Sequence, residues 1–418
     1  MPIEARRSAY AGPMPVISVT GVGGPSERKA GVSARSEVGT WMKRSRADQT
    51  RAATAATVPT ILVSVLIVAP RVSLYRDDMK IDAYFPPDPP ENAVLGATEA
   101  ASRGFDGFFT SETRHDPFLP LVLAAGASTD LDLGTAIAVA FARSPMVTAM
   151  TSWDLARLSG GRFILGLGTQ VKPHITRRFG MDWERPTDHL RDYIGAVRAI
   201  WETWENGSPL RYNGEFYRLS LMTPFFDPGP IGHEIPIFIA GVGPVLSRLA
   251  GEVADGFHIH PFHTVPYLES VVIPGIESGA LDTGRNPGAL TKASAVFVVT
   301  GEKQHELEKQ MVAVKQQIAF YASTPSYRPV LEASGWDFGE QLNTMSRKGQ
   351  WEEMAGLITD DVVSQVGVVA PLDDLGDAIA NRYRGLVDRL GIYTLGSESA
   401  IPDGRIGEVI AALKSPSI

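Results

Sequence analysis

A short polar segment contains the side chains best suited to proton transfer. Residues 111–117 read Ser-Glu-Thr-Arg-His-Asp-Pro, which places an acid, a base, a hydroxyl and a guanidinium close together. Glu112 and His115 are the candidate catalytic residues, because a positioned carboxyl or imidazole can act as a general acid or base. The alternative is a solvated loop in which Asp116 caps a helix that begins at Pro117.

Glycines interrupt a second segment that otherwise has the apolar character of a buried strand. It reads Gly160-Gly161-Arg162-Phe163-Ile164-Leu165-Gly166-Leu167-Gly168-Thr169-Gln170. Glycine weakens a strand unless another group must approach the backbone closely. A ring system packed against the strand would be such a group. The alternative is that the glycines only ease packing within the protein.

A third segment is a glycine-rich turn that leads into a predicted helix. It reads Ala240-Gly241-Val242-Gly243-Pro244-Val245. The N-terminus of a helix offers unpaired N–H groups and the positive end of the helix dipole, both of which favour an anion. The pattern therefore predicts a phosphate site at this turn.

Two histidines, in the sequence His258-Ile259-His260, lie on one face of a predicted strand, because side chains alternate along a strand. With Glu112 and His115 they leave open a metal site of the hydrolase type. No further ligands follow the predicted strands, so we expect no metal. The chain has no cysteine, which excludes thiolate metal sites, disulfides and cysteine nucleophiles. It also lacks the G-x-S-x-G motif of a serine nucleophile.

The overall composition limits the class of protein. The chain has 418 residues, 44% of them hydrophobic and 21% charged, which is typical of a folded protein with a large core. A net charge of −8 argues against nucleic acid or an anionic membrane as partner, since both favour clustered Lys and Arg. The apolar run from Ile61 to Ala69 is much shorter than the roughly 20 residues that cross a bilayer. It begins too far along the chain for a secretory signal, which favours a cytoplasmic protein.

Residues 1–78 differ from the rest of the chain. They are rich in Ala, Gly, Ser, Thr and Arg and show no clear periodicity before Val58. They contain too little apolar surface to fold alone, so we expect them to be poorly ordered. Three interpretations stay open: a signal or transit peptide, a functional tail, or coding sequence upstream of a true start at Met79. We favour the last.

From Met79 onward, short apolar runs alternate with longer helical stretches, which predicts βα units and a parallel sheet. The predicted strands are residues 80–85, 107–110, 132–139, 162–167, 237–240, 256–260, 294–300 and 390–395. Helices are predicted over 91–103, 117–128 and 187–204, with a further one starting at Ser144-Pro145. Insertions are expected near 206–235, as a hairpin, and near 302–358, as helices.

Eight such units predict an α/β fold in which a (β/α)8 TIM barrel closes on itself. An open doubly wound sheet would have fewer units and an early glycine-rich phosphate loop. The three segments described first then follow the carboxyl ends of strands, where TIM-barrel enzymes have their active sites.

Several strings, in this order along the chain, resemble the luciferase-like monooxygenase family. They are Gly104-Phe105-Asp106-Gly107-Phe108-Phe109, Leu133-Gly134-Thr135-Ala136-Ile137, Ala142-Arg143-Ser144-Pro145, the run from Asp154 to Gly168, and Ala250-Gly251-Glu252-Val253-Ala254-Asp255-Gly256. The strings from Ser111 to Pro120 and Gln170-Val171-Lys172-Pro173-His174 most resemble the branch that uses the deazaflavin coenzyme F420. The resemblance implies a luciferase-like TIM-barrel domain over residues 79–418.

The resemblance also implies a cofactor at the C-terminal mouth of the barrel, coenzyme F420 with FMN as the alternative. By position, Ala136 and Ile137 fall at a bulge of strand 3 where F420 enzymes often have a non-prolyl cis peptide behind the ring. Thr169 and Gln170 match positions that face the cofactor. Residues that match the phosphate-binding turn are Gly241, Val242, Gly243 and Pro244. Arg177 and Arg178 are candidates for the acidic tail of the cofactor.

The implied reaction is hydride transfer between F420 and a small organic substrate, with Glu112 or His115 moving the proton. One departure matters: many F420 relatives have an Asp-His pair after strand 2, where this chain has Glu112-Thr113. Aromatic residues that either line the substrate pocket or belong to the core are Phe141, Trp183 and Phe225.

Two other functions stay open, and so do two protein partners, a separate reductase and a second copy of the chain. One function is an FMN-dependent monooxygenase that receives reduced flavin from a separate reductase. The other is a non-catalytic deazaflavin-binding protein, for which the missing histidine at Thr113 is the support. The resemblance further suggests a homodimer.

Overall fold

The apolar runs of the sequence form the strands of a closed parallel barrel. The computed structural model describes residues 79–86, 88–395, 401–402 and 404–415, so the prediction for residues 1–78 lies outside the described part. The strands are β1 Lys80–Tyr84, β2 Gly107–Thr110, β3 Asp132–Thr135, β4 Ala138–Val139, β5 Phe163–Gly168, β6 Tyr212–Asn213, β7 Arg218–Leu219, β8 Ile237–Gly241, β9 Gly256–Ile259, β10 Thr291–Val299, β11 Val368–Val369 and β12 Arg389–Tyr393.

Eight of these strands are parallel neighbours in the order β1-β2-β3-β5-β8-β9-β10-β12. The ring closes because β12 also pairs with β1, with Lys80 opposite Arg389 and Ile81 opposite Leu390. The (β/α)8 TIM barrel predicted from the sequence is therefore confirmed.

Helices surround the barrel and follow its strands. They are α1 Ala93–Ser102, α2 Leu119–Ala127, α3 Pro145–Ser159, α4 Lys172–Arg177, α5 Pro186–Asn206, α6 Pro244–Val253, α7 Val265–Tyr267, α8 Ile273–Asp282, α9 Gln304–Ala322, α10 Arg328–Ala333, α11 Gly339–Arg347, α12 Trp351–Met354, α13 Asp360–Val366, α14 Leu375–Tyr383 and α15 Ile406–Lys414. Within the described ranges, none is long and apolar enough to cross a membrane.

Local chemistry explains where these elements begin and end. Helix α3 begins as predicted, because the Ser144 side chain accepts a hydrogen bond from the Val147 N–H (3.3 Å) and Pro145 occupies the first helical position. It ends at Gly160, whose φ of 64° lies in the left-handed region that favours glycine.

The strands separate an outer core from an inner one, because their side chains alternate. Outward-facing residues such as Ile81, Leu133 and Leu165 join one large cluster with the helices. Inside the barrel, a small cluster consists of Phe109, Ile164, Phe238 and Ala293, with Tyr84 and Ala136 packed against it.

Buried charges fill the N-terminal end of the barrel. Arg389 donates to both carboxylate oxygens of Asp82, at 2.9 and 2.5 Å, and to Asp132 at 2.7 Å. Lys80 donates to the same oxygen of Asp132 at 2.7 Å. Since an unpaired charge is costly to bury, this network is stable only when its partners are all present.

Two features depart from the predicted strands. The run 132–139, predicted as one strand, is divided into β3 and β4 by Ala136 and Ile137, whose peptide bond is cis, as the family resemblance implied for this position. Strand β11 was not predicted: its two residues lie outside the ring and pair only with the end of β10. The segment 206–235 contains the hairpin of β6 and β7, and the segment 302–358 is helical.

Candidate active site at the C-terminal mouth of the barrel

The carboxyl ends of the barrel strands bring the three segments of interest to one face of the molecule. Side chains at these ends stay partly exposed although the strands around them are buried; they include Tyr84, Ser111, Ala136, Thr169, Ala240 and Tyr393. The C-terminal end of the barrel is therefore open to solvent.

A cavity of about 860 Å³ opens at the opposite end of the barrel. Its charged residues are already paired with one another, Lys80 with Asp132 and Lys414 with Asp106. Residues at this end of a TIM barrel normally contribute to stability, whereas the chemistry takes place at the other end. We therefore assign the candidate site to the C-terminal mouth.

Glu112 connects the loop after β2 to the neighbouring strand. Its carboxylate accepts two hydrogen bonds from Arg143, both at 2.8 Å, and one from the Val139 N–H at 2.6 Å. Its own N–H donates to the Ile137 carbonyl oxygen at 3.0 Å. The buried carboxylate is thus occupied on both oxygens. Its role in proton transfer stays a prediction, and its geometry favours a positioning role.

His115 differs from Glu112 in having its imidazole unengaged. It is half-buried, and its side chain makes no hydrogen bond to the described part of the chain. The neighbouring Asp116 accepts hydrogen bonds from the N–H groups of Phe118 (2.8 Å) and Leu119 (3.2 Å). Asp116 therefore accepts hydrogen bonds near the start of a helix, as the alternative interpretation of this segment expects, although α2 begins at Leu119 rather than Pro117. His115 stays the predicted proton-transfer residue.

The glycines of β5 make room for other parts of the protein. A Cβ on Gly166 would lie 1.7 Å from the Thr135 carbonyl oxygen, and one on Gly168 would lie 2.8 Å from Ile137 Cδ1. The atoms nearest to both glycines therefore belong to the β3–β4 segment, and Nε2 of His258 also lies only 2.9 Å from a Cβ on Gly166. This favours packing over a bound ring as the reason for these glycines.

Thr169 and Gln170 lie at the end of β5, both half-buried. The Thr169 hydroxyl donates to the Gln170 carbonyl oxygen at 3.1 Å, and the Gln170 side-chain oxygen accepts from the Val171 N–H at 3.0 Å. Gln170 has a φ of 61°, which turns the chain sharply after the strand. Its side-chain amide N–H groups make no hydrogen bond within the described ranges.

The turn between β8 and α6 has the form that its glycines predict. A Cβ on Gly241 would lie 2.5 Å from Leu246 Cβ, so glycine lets the first turn of α6 pack against the strand. Gly243 has a φ of 88°, which favours glycine, and the nearest atom to a Cβ there would be Pro329 Cγ at 3.9 Å. The turn is therefore tight at Gly241 and open at Gly243.

Two N–H groups at the start of α6 are left for an anion. Gly243 precedes the helix, and its N–H donates to the Tyr267 hydroxyl oxygen at 2.9 Å. Pro244 has no N–H, and the N–H groups of Val245 and Leu246 lie in the first helical turn, where no intrahelical acceptor exists. These residues fit a phosphate group. Tyr267, which holds Gly243, was not predicted from the sequence.

The two histidines of β9 have separate environments. His258 is enclosed in the barrel against the rings of Phe109 and Phe238, and its Nε2 has no hydrogen-bond partner. Burial lowers the pKa of His258 to about 3, so the ring is neutral at pH 7. Across the described ranges, no three His, Asp or Glu side chains form a group that could hold a metal. The hydrolase-type metal site is therefore not supported.

His260 lies at the mouth and contacts a residue from the helical insertion. Its Nδ1 accepts a hydrogen bond from the Phe262 N–H at 3.1 Å, and its Nε2 lies 3.1 Å from the Tyr327 hydroxyl. Burial lowers the pKa of His260 to about 3. Sequence reasoning missed Tyr327, because no local pattern shows where a residue of an insertion meets the barrel.

Aromatic side chains form walls on two sides of the mouth. One wall lies at the ends of β9, β10 and β12. There the ring of Tyr321, from α9, lies 4.6 Å from the ring of His260, and the ring of Phe297 stacks on that of Tyr393 at 5.2 Å. Beyond β4, Phe141 stacks on His189 at 4.2 Å and meets Trp183 edge-on at 5.9 Å.

The remaining predicted contacts lie apart from these walls. Phe225 is 88% exposed and belongs to neither wall. Arg178 donates to the Thr113 carbonyl oxygen, and Arg177 is exposed at the end of α4. Binding of an acidic cofactor tail by these arginines stays a prediction.

Comparison with known proteins connects this geometry to one family. Residues 69–389 match the model of a family described as luciferase-like monooxygenase. Uncharacterized protein Rv1360 of Mycobacterium tuberculosis is 44% identical over 330 residues, which cover 77% of this chain and 96% of that protein. Rv3520c of the same organism, named as a candidate coenzyme F420-dependent oxidoreductase, is 28% identical over 347 residues, covering 77% of this chain and 95% of its own.

Two solved structures share the fold. The coenzyme F420 dependent tetrahydromethanopterin reductase from Methanopyrus kandleri superimposes with a TM-score of 0.63 at 22% identity, covering 81% of this chain and 97% of that one. The oxygenating constituent of 3,6-diketocamphane monooxygenase of Pseudomonas putida, in complex with FMN, has a TM-score of 0.58 at 15% identity, covering 76% and 92%.

Proposed function

Because the chain belongs to the luciferase-like monooxygenase family, we propose that it is a coenzyme F420-dependent oxidoreductase that transfers a hydride between the deazaflavin and a small organic substrate. The family contains oxidoreductases and monooxygenases, and a relative across 77% of this chain is named for F420. The observation that carries the proposal is the open turn at Gly243, with the N–H groups of Val245 and Leu246, which have no partner in the part of the chain that the structure describes.

The residues that would hold the cofactor lie around the mouth. The first turn of α6 would bind its phosphate, because the N–H groups and the helix dipole both favour an anion. Ala136, Ile137, Thr169 and Gln170 would lie along the ring and side chain. When bound, the deazaflavin supplies the hydride chemistry, and the protein supplies orientation and electrostatics.

The chain's own groups would handle the proton and exclude water. His115 has a free imidazole beside the mouth and is the proposed proton-transfer residue. Glu112 would hold the loop that carries His115, through Arg143 and Val139. In the wall beyond β4, the half-buried Trp183, against which the buried Phe141 packs, would keep water from the substrate.

The experiment is a fluorescence titration of the purified protein with F420 and, separately, with FMN. We expect F420 to bind in preference to FMN. Tight FMN binding without F420 binding would instead support an FMN-dependent monooxygenase served by a separate reductase, which the fold shared with an FMN complex makes the second candidate. F420 binding without hydride exchange on any enone, alcohol or aldehyde would indicate a non-catalytic binding protein.

A pair of variants tests the phosphate turn itself. The side chain of Val245 is 61% exposed, so changes there do not disturb the core. Val245→Asp places a carboxylate beside the proposed phosphate, and we expect F420 affinity to fall about tenfold, or ~1.4 kcal/mol. Val245→Asn introduces a side chain with the shape of Asp but without its charge, and this variant should bind F420 as tightly as the native protein does. Equal affinities of the two variants would place the phosphate elsewhere.

We also propose that the protein is a cytoplasmic homodimer. Helices α1, α2 and α3 lie side by side and expose apolar side chains on one face. These side chains are Val94, Leu95, Leu119, Val122, Leu123, Val147 and Met150. An apolar area that spans three helices is typical of a protein interface. A second copy of the chain is the proposed occupant.

A further inference from the structure

Tyr327 lies at the mouth but belongs to none of the segments that the sequence singled out. It ends the short 3-10 turn Pro325–Tyr327, just before α10. Its ring packs against Phe262 and Tyr321 at centroid distances of 5.6 and 5.4 Å. Its hydroxyl lies 3.1 Å from Nε2 of His260, at the carboxyl end of β9. Tyr327 is half-buried, so it forms part of the surface that a ligand at the mouth would meet.

The hydrogen bonds of His260 determine the direction of this contact. Nδ1 accepts from the Phe262 N–H, so Nδ1 carries no proton. A neutral imidazole must then carry its proton on Nε2, which donates to the Tyr327 hydroxyl oxygen. The phenolic hydrogen of Tyr327 is left to point elsewhere, and no acceptor for it occurs in the described ranges of the chain.

A second histidine of the same loop, His263, pairs with Tyr383 of α14 in the opposite arrangement. Nδ1 of His263 lies 2.8 Å from the His260 carbonyl oxygen, which can only accept, so this nitrogen carries the proton. Nε2 of His263 then accepts from the Tyr383 hydroxyl at 3.1 Å. Tyr383 is buried and uses its hydrogen internally. The unused hydrogen of Tyr327 therefore does not follow from the pairing of tyrosine with histidine alone.

We propose that Tyr327 is a catalytic residue that donates a hydrogen bond, and then its proton, to the oxygen of a carbonyl substrate, with His260 as the positioning residue. For such a substrate Tyr327 takes the proton-transfer role that the proposed function gives to His115. The proposal rests on the proposed function for its reductant, a reduced deazaflavin. It extends that function by naming the residue that supplies the proton when the substrate is an aldehyde or a ketone.

The step balances as follows for a ketone. The carbonyl carbon gains a hydride from the reductant, the electron pair of the C=O π bond moves to oxygen, and the Tyr327 O–H bond breaks to form the O–H bond of the alcohol. The reductant loses two electrons and the ketone gains them. The phenolate of Tyr327 keeps its hydrogen bond from Nε2 of His260 and regains a proton from water.

The surroundings of Tyr327 favour a hydroxyl that keeps its proton until the substrate oxygen accepts it. Burial raises the pKa of Tyr327 to about 12, so at pH 7 the hydroxyl retains its proton. His260 cannot pass on a second proton, because Nδ1 is occupied as an acceptor. Its contribution is therefore to orient the hydroxyl and to stabilise negative charge on it.

The first experiment follows a bound ketone by NMR, with the full chain and without cofactor. The probe is cyclohexanone labelled with ¹³C at the carbonyl, whose resonance moves downfield when the oxygen accepts a hydrogen bond. We expect this shift in the native protein and its loss in Tyr327→Phe, with an affinity for the probe that is about tenfold weaker. Tyr383→Phe, which also separates a hydroxyl from a histidine, should keep the shift.

Two results would overturn the proposal: no shift in the native protein, or the same shift in Tyr327→Phe. Loss of the shift in both tyrosine variants would also overturn it, since the effect would then follow from damage to the loop. Thermal unfolding of each variant identifies that damage independently.

The second experiment separates this proposal from the proposed function. F420 affinity should be equal in the native protein and Tyr327→Phe, whereas kcat for ketone reduction should fall at least ~100-fold in the variant with a smaller change in KM. Absence of F420 binding to the native protein, with a ketone shift that depends on Tyr327, would contradict the proposed function alone. F420 binding with a shift independent of Tyr327 would contradict this inference alone.

Discussion

At the scale of single residues, the ion pair of Glu112 and Arg143 has the strongest geometry in the loop after β2. The pair is bidentate, and the two side chains are only 6% and 14% exposed. We expect Glu112→Gln to lower the free energy of unfolding by about 2–3 kcal/mol, because the largely buried charge of Arg143 keeps only its longer ion pair with Asp116, at 3.6 Å. Urea denaturation measures the change.

The matched control is an ion pair in solvent. Glu99 of α1 lies 3.2 Å from Arg103, the residue that follows this helix, and Glu99→Gln should change stability by no more than ~0.5 kcal/mol. Full stability in Glu112→Gln, together with loss of hydride transfer, would contradict the positioning role and return Glu112 to proton transfer.

Three buried histidines predict a dependence of stability on pH. Burial lowers the pKa values of His258 and His260 to about 3 and that of His263 to about 4, whereas the unfolded chain has values near 6.5. Below pH 6.5 the unfolded state therefore binds protons that the folded state does not. Stability should fall as pH decreases from about 6.5 towards 4, by roughly 2 kcal/mol per histidine between pH 7 and pH 5.

Urea midpoints measured from pH 7 to pH 5 test this dependence. His258→Leu removes one of the three groups and should make the decline shallower. His305→Gln changes an exposed histidine, which is in water in both states, and should leave the decline as it is. An unchanged slope in His258→Leu would mean that this ring is already charged in the folded protein.

A residue of the site could be predicted from the sequence when it follows a barrel strand, and could not be predicted when packing brings it to the mouth from a distant segment. Gly243 and His115 follow strands directly, so the barrel pattern was enough to locate them. Tyr327 and Tyr267 come from segments whose direction depends on packing between distant parts of the chain. The pairing of Glu112 with Arg143 likewise joins two separate loops and leaves no local signal.

At the scale of elements, strands β3 and β5 pack so closely at Gly166 that this position has no room for a side chain. Gly166→Ala would place its Cβ 1.7 Å from the Thr135 carbonyl oxygen, and we expect a loss of at least ~3 kcal/mol or failure to fold. Gly126→Ala is the control, since no atom lies within 4 Å of a Cβ there. Because Gly126 is within α2, alanine should stabilise the protein by about 0.5–1 kcal/mol.

Thermal and urea unfolding of the two alanine variants measure both effects. A soluble Gly166→Ala protein with native stability would show that β3 and β5 can move apart. The glycines of β5 would then require another explanation, such as the close approach of a ring.

The barrel strands were predictable because each combines a run of apolar residues with a helix that follows. Strand β2 has the predicted limits, and the others differ at their ends by a few residues. Strand β11 was not predictable, since it depends on the neighbouring strand rather than on the periodicity of its own residues. The division of β3 from β4 has no signal in that periodicity either, and only the family resemblance indicated a bulge at Ala136 and Ile137.

At the scale of the whole molecule, the face of α1, α2 and α3 predicts the state of association. Leu123→Glu introduces a charge at the centre of this face, and we expect it to convert a dimer to a monomer, because a buried unpaired charge is costly. Light scattering after size-exclusion chromatography measures the mass. Leu281→Glu, at an exposed leucine on α8, is the control and should not alter it. A native protein that is monomeric at micromolar concentration would contradict the dimer.

The closure of the ring by β12 and β1 has a consequence for how the protein is made. Asp82 and Arg389 are separated by 307 residues, so the carboxylate leaves the ribosome long before its partner. At 5–20 residues per second, that interval is about 15–60 s. During this time β1 has an unpaired edge and Asp82 keeps its hydration, so the barrel can close only after nearly all of the chain has been translated.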